Sequence, residues 1–352
     1  WKTTEETRFK QLISECHKRG IKVLLYFGYE LSTLAPEWGK MADEVLVKDI
    51  KGNFTGGYHR LPEQRAYIVC YNSKWQNYFT KGISQALENY GFDGVYLDGT
   101  IEPFGCANHS HGCGYITDGG NLKVTYPIFA VRKLMKYLYK IIHSKGGLIS
   151  VHQSTCCVTP TLSFCDSYWD GEQFEGGELT TDTLQKLPLD TFRAEFMGKN
   201  FGIPSEFLVY EQPPNWTLER ALVFTLLHDV LVRPRNLKEL ELMSKIWKIM
   251  NNFGVSTAKW YPYWENEKFL KLEPKFIKGS FYQKGNELLL VISNLSGYQE
   301  AECKITLDAT ALKIPGNFKA CFDTLNEKNI SIENNYIQIF LKPMTVKIIK
   351  IE

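Results

Sequence analysis

The chain has 352 residues, with 41 basic and 39 acidic side chains and a formal net charge of +2. Its length exceeds the usual limit of a single hydrophobic core, so we expect two domains, and 44% hydrophobic residues exclude intrinsic disorder. The small net charge makes nucleic acid and anionic membranes unsuitable partners. No apolar run approaches the ~20 residues that cross a bilayer, so we expect a soluble chain whose natural N-terminus precedes Trp1.

From residue 4 to about 235 the sequence alternates amphipathic helices with short apolar strands. A first helix precedes Arg19, and Ser73 with Gln76 predicts a capping box for the second. Further helices are predicted at 127–143, 190–199, 218–227 and 237–252. The six predicted strands cover residues 22–28, 94–99, 148–153, 165–172, 206–212 and 229–234.

Apolar strands that alternate with helices indicate a parallel sheet, either a barrel or a doubly wound sheet. No glycine-rich phosphate turn follows the first strand, and acidic and aromatic residues follow several strands, as in (β/α)8 barrels. We therefore predict such a barrel over residues 1–262. Its two missing strands are expected ahead of Trp1, or are contributed by an irregular segment or a partner. Short alternating strands from residue 276 onward predict an antiparallel β-sandwich over residues 263–352.

The most informative stretch runs from Gly91 to Thr100, because its acid, Asp98, follows a strand and precedes Gly99. An acid at that position of a barrel faces the active site, although Asp also caps helices and turns. Cleavage of a glycosidic bond needs a second carboxyl group, one of the pair being protonated. Asp170 and Glu172 are the candidates, since the neighbouring Trp169 favours a protonated carboxyl by excluding water.

This layout resembles the (β/α)8 glycoside hydrolases of the α-galactosidase and α-N-acetylgalactosaminidase superfamily, in which a β-sandwich follows the barrel. The resemblance implies that Asp98 closes the fourth strand as nucleophile and that Asp170 closes the sixth as acid/base, with retention of configuration. Two motifs depart from the superfamily. Tyr96 replaces a basic residue, and Cys156-Cys157 follow the strand where a cysteine-and-glycine motif with arginine is usual.

Substrate contacts are predicted by the same strand-end rule. The rule gives Tyr29, Glu30, His152, Gln153, Glu211 and Arg233, and also Tyr26, although Tyr26 is interpreted mainly as a core residue. Trp169 and the clustered His109 and His111 are further predicted contacts. A satisfied barrel residue is the competing interpretation of His152, and an acidic or sulfated sugar is an open alternative to a neutral one.

The nine cysteines are too few and too scattered for a small disulfide scaffold. One cluster, Cys106, His109, His111 and Cys113, has a spacing outside the usual zinc patterns. We interpret it as a loop-closing disulfide or free thiols, or as histidines that face a ligand, and we expect neither a metal nor a cofactor. A zinc-dependent hydrolase that uses His109, His111 and Cys113 is a minor alternative.

The sequence therefore predicts a glycoside hydrolase with a carbohydrate substrate. Alternatives are a non-catalytic carbohydrate-binding barrel and a hydrolase that pairs Asp98 with Glu211. A secreted, periplasmic or lysosome-like location is expected, with glycosylation sequons at Asn53, Asn108, Asn215, Asn294 and Asn329.

Overall fold

The structure, a computed structural model, describes residues 4–153, 158–172, 187–197, 199–200, 202–209 and 217–352. The chain divides into two compact units, Trp1–Trp169 and Asp170–Glu352. This division differs from the predicted boundary after residue 262, which stays a prediction.

The described part of the first unit alternates helices with strands. In chain order these are α1 (Glu6–His17), β1 (Leu24–Phe27), β2 (Glu30–Ser32), α2 (Trp38–Val45), β3 (Ala66–Ile68), α3 (Trp75–Tyr90), β4 (Gly94–Leu97), β5 (Tyr115–Ile116), β6 (Leu122–Lys123), α4 (Ile128–His143), β7 (Leu148–His152), α5 (Thr159–Leu162) and β8 (Ser167–Asp170). A 3₁₀ turn, His109–His111, lies between β4 and β5.

Four of these strands form a parallel arrangement in the order β1, β4, β7, β8. Phe27 pairs with Leu97, Leu97 with Val151, and His152 with Trp169. The amphipathic helices α3 and α4 supply apolar side chains that have no access to solvent. Because parallel strands end at one edge of their sheet, the register brings Asp98 and His152 to the same edge.

Two local predictions in this unit are wrong. Glu30 does not end the first strand but begins β2, which pairs with β3 in a two-stranded antiparallel sheet. Ser73 and Gln76 do not form a capping box, because Lys74 is the residue that precedes α3 and the Gln76 side chain donates to the Tyr71 carbonyl instead. The helix itself is confirmed, since its buried face alone is sufficient to specify it.

The described part of the second unit begins with βα elements and continues as antiparallel sheets. Its elements are α6 (Leu189–Glu195), β9 (Lys199–Asn200), β10 (Ile203–Leu208), α7 (Leu218–Thr225), β11 (Leu231–Arg233), α8 (Leu237–Phe253), β12 (Lys259–Tyr261), β13 (Leu270–Glu273), β14 (Ile277–Lys284), β15 (Glu287–Asn294), β16 (Ala301–Leu307), β17 (Cys321–Asp323), β18 (Lys328–Asn329), β19 (Ile332–Glu333), β20 (Tyr336–Leu341) and β21 (Thr345–Ile351). A 3₁₀ turn, Leu226–His228, follows α7.

The C-terminal strands form two antiparallel sheets, as predicted for a sandwich. One has the order β12, β14, β15, β21, β17, β18, and the other β13, β16, β20, β19. Strand β15 is buried on both faces, because Leu288 and Leu290 belong to the core between the sheets while Leu289 and Val291 pack with the α7 and α8 regions. This double burial explains its unbroken apolar run.

All six strands predicted between residues 22 and 234 are present, and β10 begins three residues earlier than predicted. The βα alternation followed by an antiparallel sandwich confirms the predicted fold class. Within the described ranges, no helix has the length and apolar character needed to cross a membrane.

Candidate active site

Asp98 lies immediately after β4, where the backbone turns sharply at Gly99. Gly99 has a φ of +60°, and a Cβ at this position would lie 2.3 Å from the Tyr29 ring. Only glycine combines this backbone conformation with so close a neighbour. Gly99 therefore allows the chain to turn directly after the acid.

Two neighbouring side chains hold the Asp98 carboxylate. The Tyr26 hydroxyl donates to Oδ2 at 2.7 Å, and His152 Nδ1 donates to Oδ1 at 2.9 Å. Burial alone would raise the pKa of Asp98, but the hydrogen bonds from His152 and Tyr26 and the charge of His152 bring it below its ordinary value. Asp98 is therefore held as an anion, with a quarter of its side chain exposed to solvent.

Four aromatic side chains form a row of ring contacts, and the side chains at its two ends bond to Asp98. The His152 imidazole stacks on Trp169 with ring centroids 3.9 Å apart and an interplanar angle of 6°. Trp169 stacks in turn on Tyr96, and Tyr96 lies 5.5 Å from Tyr26. His152 and Trp169 are almost fully buried, whereas more than half of Tyr26 is exposed, so Tyr26 offers the accessible end of this row. We call the four residues the aromatic row.

Glu30 provides a second carboxyl group that interacts electrostatically with Asp98. Its carboxylate accepts a hydrogen bond from the Tyr58 backbone N–H. Burial raises the pKa of Glu30, and the charge of Asp98 adds to this effect, while the Tyr58 N–H and His59 oppose it with a smaller combined effect. The pKa values of the two acids are thus displaced in opposite directions, Glu30 upward and Asp98 downward.

Asp170 and Glu172 belong to the second unit. Asp170 is the last residue of β8 and has no exposed surface, and its Oδ1 accepts the Gly171 backbone N–H at 2.7 Å. A Cβ on Gly171 would lie 2.2 Å from the Leu208 carbonyl oxygen, so the chain passes closely against β10 at this point. Glu172 is half-buried. Their pairing with Asp98 stays a prediction.

The remaining predicted contact residues are spread over several places. Gln153 has a buried side chain, and the backbone N–H of this residue donates to the Trp169 carbonyl. Arg233 donates to the Glu206 carboxylate at 2.9 Å. Tyr29 stacks on Phe104. Glu211 lies outside the described residues, as do Cys156 and Cys157.

The two predicted histidines, His109 and His111, lie in the 3₁₀ turn that follows β4. His109 is exposed, and His111 Nε2 lies 3.3 Å from Cys106 Sγ. Cys106 and Cys113 are free thiols, which is the second of the two predicted alternatives, a loop-closing disulfide or free thiols. The described residues that suit a metal ion are Cys70, Cys106, His111 and Cys113.

Tyr26 is exposed and donates a hydrogen bond to Asp98, although its place in an apolar strand indicates a core residue. Tyr26 is the next-to-last residue of β1 and Tyr96 is its partner on β4, a pairing that the sequence alone does not show. Cys70 was not connected with the later cysteines, since 36 or more positions separate them along the chain and no spacing rule covers that distance.

Two family models match the sequence. Residues 2–99 match "Hypothetical glycosyl hydrolase 6", and residues 243–347 match "Glycoside hydrolase 123, C-terminal domain". Both models describe glycoside hydrolases, and they support the assignment of the chain to the glycosidases, hydrolases that degrade carbohydrates. No curated protein matches the sequence.

Several solved structures resemble the chain. A noncanonic maltogenic α-amylase, AmyB, from Thermotoga neapolitana has a TM-score of 0.62 at 12% identity, covering 98% of this chain and 80% of that one. A GH27 β-L-arabinopyranosidase from Geobacillus stearothermophilus has a TM-score of 0.56 at 12% identity, covering 98% and 77%. Amy13B from Eubacterium rectale has a TM-score of 0.56 at 14% identity, covering 98% and 82%. At these identities the likeness concerns the fold, which agrees with the predicted fold class.

Proposed function

We propose that this glycosidase cleaves its substrate with retention of configuration and that Asp98 is the nucleophile. The observation that carries the proposal is the anionic Asp98 carboxylate, fixed by Tyr26 and His152 at the end of a parallel strand. A nucleophilic carboxylate must be ionised and oriented before the sugar arrives, and both requirements are supported here. The GH27 neighbour and the resemblance to the α-galactosidase superfamily favour the same role.

In the proposed reaction, one Asp98 oxygen attacks the anomeric carbon while a protonated carboxyl group donates its proton to the departing glycosidic oxygen. The covalent glycosyl ester is then hydrolysed by water, which the second group deprotonates. We propose Asp170 for this second role, because it is the last residue of β8, a position close to that of Asp98 directly after β4. Glu172 is the alternative, since its side chain is longer and follows the Gly171 turn.

The substrate is proposed to be an oligosaccharide or glycan. The exposed ring of Tyr26 gives a sugar an apolar face to stack on, and Glu30 offers a carboxyl group for its hydroxyls. The α-amylase and the β-L-arabinopyranosidase are named as enzymes that act on carbohydrates, and we propose the same substrate class for this chain.

A panel of chromogenic α- and β-glycosides, with uronic and sulfated members, identifies the best substrate. With that substrate, Asp98→Asn is expected to abolish turnover. The matched control is Asp93→Asn, because Asp93 lies at the other end of β4 and accepts hydrogen bonds from His17 and the Val23 N–H. Full turnover in Asp98→Asn, or equal loss in the control variant, would contradict the assignment.

The general acid is identified by comparing how much kcat each amide variant loses on substrates with good and with poor leaving groups. Its amide variant is expected to lose about 10²–10⁴-fold in kcat on glycosides with poor leaving groups, and much less on activated aryl glycosides. Asp170→Asn, Glu172→Gln and Glu211→Gln are compared in this way. A loss that depends on the leaving group in Glu211→Gln alone would overturn the proposed pair in favour of Asp98 with Glu211.

A further inference from the structure

Three cysteines and one histidine of the first unit converge on a single point. The sulfur atoms of Cys70, Cys106 and Cys113 and one ring nitrogen of His111 all lie within 4.8 Å of one another. The three cysteines are buried and His111 is half-buried. These residues come from two places in the sequence, the end of β3 and the long loop after β4.

The spacing of these atoms fits a tetrahedral zinc ion. Zn–S bonds of 2.3 Å and Zn–N bonds of 2.0–2.1 Å place two sulfurs about 3.8 Å apart and a sulfur and a nitrogen about 3.5 Å apart. Cys70 Sγ and Cys113 Sγ are separated by 3.8 Å, and Cys106 Sγ and His111 Nε2 by 3.3 Å. A disulfide would need about 2.05 Å between the sulfurs. The geometry therefore matches ligation and not a covalent bond between cysteines.

The groups around the cluster direct donors at the sulfur atoms and fix the orientation of the imidazole. The Asn108 backbone N–H points to Cys106 Sγ at 3.4 Å, and the Asn72 side-chain amide lies 3.7 Å from Cys113 Sγ. His111 Nδ1 bonds to the Glu44 carbonyl at 2.6 Å, which directs Nε2 toward the sulfurs. Zinc-binding histidines typically use their second nitrogen in this way.

The backbone that carries these residues is held in place by independent contacts. The Asn108 side-chain amide donates to the carbonyls of Asp43 and Leu46, at the end of α2. Cys106 exchanges two backbone hydrogen bonds with Thr125, and the Cys70 N–H donates to the Val45 carbonyl. Four protein ligands in a buried, braced site are typical of structural zinc and leave no open position for catalysis.

We propose that Cys70, Cys106, His111 and Cys113 bind a structural zinc ion. The ion ties the end of β3 to the loop between β4 and α4, a segment of about 30 residues whose only regular structure is a 3₁₀ turn and a two-stranded ribbon. The proposal replaces His109 of the predicted cluster by Cys70, and it gives zinc a structural role and no hydrolytic one.

The same cluster supports the turn beside Asp98. Tyr29, whose ring lies against Gly99, stacks on Phe104 with ring centroids 5.3 Å apart. Both rings pack against the buried group that contains Cys70, Cys106 and Cys113. Loss of the ion is therefore expected to loosen the support of the catalytic turn without removing a reacting group.

Elemental analysis of the purified full-length chain tests the proposal, with about one zinc ion per chain expected. Cys106→Ser and Cys113→Ser are expected to lower the zinc content at least tenfold, as is His111→Ala, whereas His111→Cys keeps it because four cysteines also bind zinc. The matched controls Cys165→Ser and Cys303→Ser alter buried free thiols outside the cluster and should retain full zinc. Unchanged zinc in the cluster variants would overturn the proposal.

A second measurement uses the unaltered protein, so it does not depend on whether variants fold. Zinc X-ray absorption is expected to show three sulfur neighbours and one nitrogen, and the cobalt-substituted chain should give the intense absorption of tetrahedral thiolate coordination. A chain without bound metal after expression in zinc-supplemented medium, with all of these thiols open to alkylation, would contradict the site. These measurements need no substrate, so their outcome is separate from that of the proposed hydrolysis.

Discussion

At the scale of single residues, the state of Asp98 depends on two donors that come from different strands. Tyr26 lies on β1 and His152 on β7, on either side of β4. Each hydrogen bond to the anion stabilises it more than the protonated form. The residues on the neighbouring strands β1 and β7 thus keep Asp98 ionised. Their effect on its pKa can be measured in the pH dependence of the reaction.

We expect His152→Gln to move the acidic limb of kcat/KM to higher pH. The variant removes a charge that lowers the pKa of Asp98, so the nucleophile becomes protonated at a higher pH than in the parent chain. The pH profile of kcat/KM on the best chromogenic substrate measures the shift. His143→Gln is the control, since His143 pairs with Asp166 and does not contact Asp98 by any described bond. An unmoved limb, or one moved to lower pH, would count against the role of His152.

The site residues differed in how well the sequence revealed them. Asp98 was predictable because an apolar strand is followed by an acid and then by a glycine. In a parallel sheet, this order usually places the acid at the active-site edge. The exposure of Tyr26 and the partnership of Cys70 with Cys106 were not predictable, because both depend on which strands and loops become neighbours. The residues of one segment do not indicate which distant segments will contact it in the fold.

At the scale of elements, the turn after β4 is specified by the contact between Gly99 and Tyr29. Long periodic elements such as α3, α4 and α8 follow from their apolar faces, and the sequence predicts them well. The antiparallel β2–β3 pair is not predicted by the sequence, because each strand has only three residues, too few to show alternation. In addition, 33 residues separate the two strands. Short strands of this kind are set by their surroundings.

We expect Gly99→Ala to destabilise the chain more than Gly52→Ala. Both glycines have positive φ, so each variant carries a backbone cost of about 1–2 kcal/mol, but a Cβ on Gly52 meets nothing within 4 Å. The clash with Tyr29 adds about 1–3 kcal/mol for Gly99 alone. Urea unfolding measures both free energies, and Tyr29→Ala should relieve the extra cost. Equal destabilisation by the two variants would show that the Tyr29 contact is unimportant.

At the scale of the whole molecule, the sandwich strands share a core with the helices that precede them. Tyr282, Leu289 and Ile348 belong to the same buried cluster as Phe224 and Ile246 of α7 and α8. The Tyr282 hydroxyl also donates to the Asp229 carboxylate. The alternation of strands from residue 276 predicted the sandwich correctly, but it could not show that β15 is buried on both faces.

A chain restricted to residues 263–352 is therefore expected to expose this shared core and to associate. A chain of residues 170–352, which retains the whole second unit and every element of the shared core, is expected to remain monomeric and to melt cooperatively. Sedimentation and calorimetry compare the two. Independent, cooperative melting of 263–352 at the temperature of the longer chain would support a domain boundary after residue 262 and contradict the role given to the shared core.

The structure shows which of the glycosylation sequons are accessible, and this concerns the predicted location outside the cytoplasm. Of the five sequons, Asn108 and Asn294 are buried and bonded to backbone carbonyls, so neither can carry a glycan in the folded chain. Asn53 and Asn329 are exposed, and Asn215 lies outside the described residues. The location stays a prediction, and sequons on their own give it little support.

The proposed role of Asp98 is tested most directly by trapping the covalent intermediate. A 2-deoxy-2-fluoro glycoside of the preferred sugar is expected to inactivate the enzyme, because the fluorine slows hydrolysis of the glycosyl ester. Peptide mass spectrometry should then find one glycosyl adduct, on Asp98. An adduct on Asp170, Glu172 or Glu30, or first-formed product with inverted configuration and no adduct, would contradict the account.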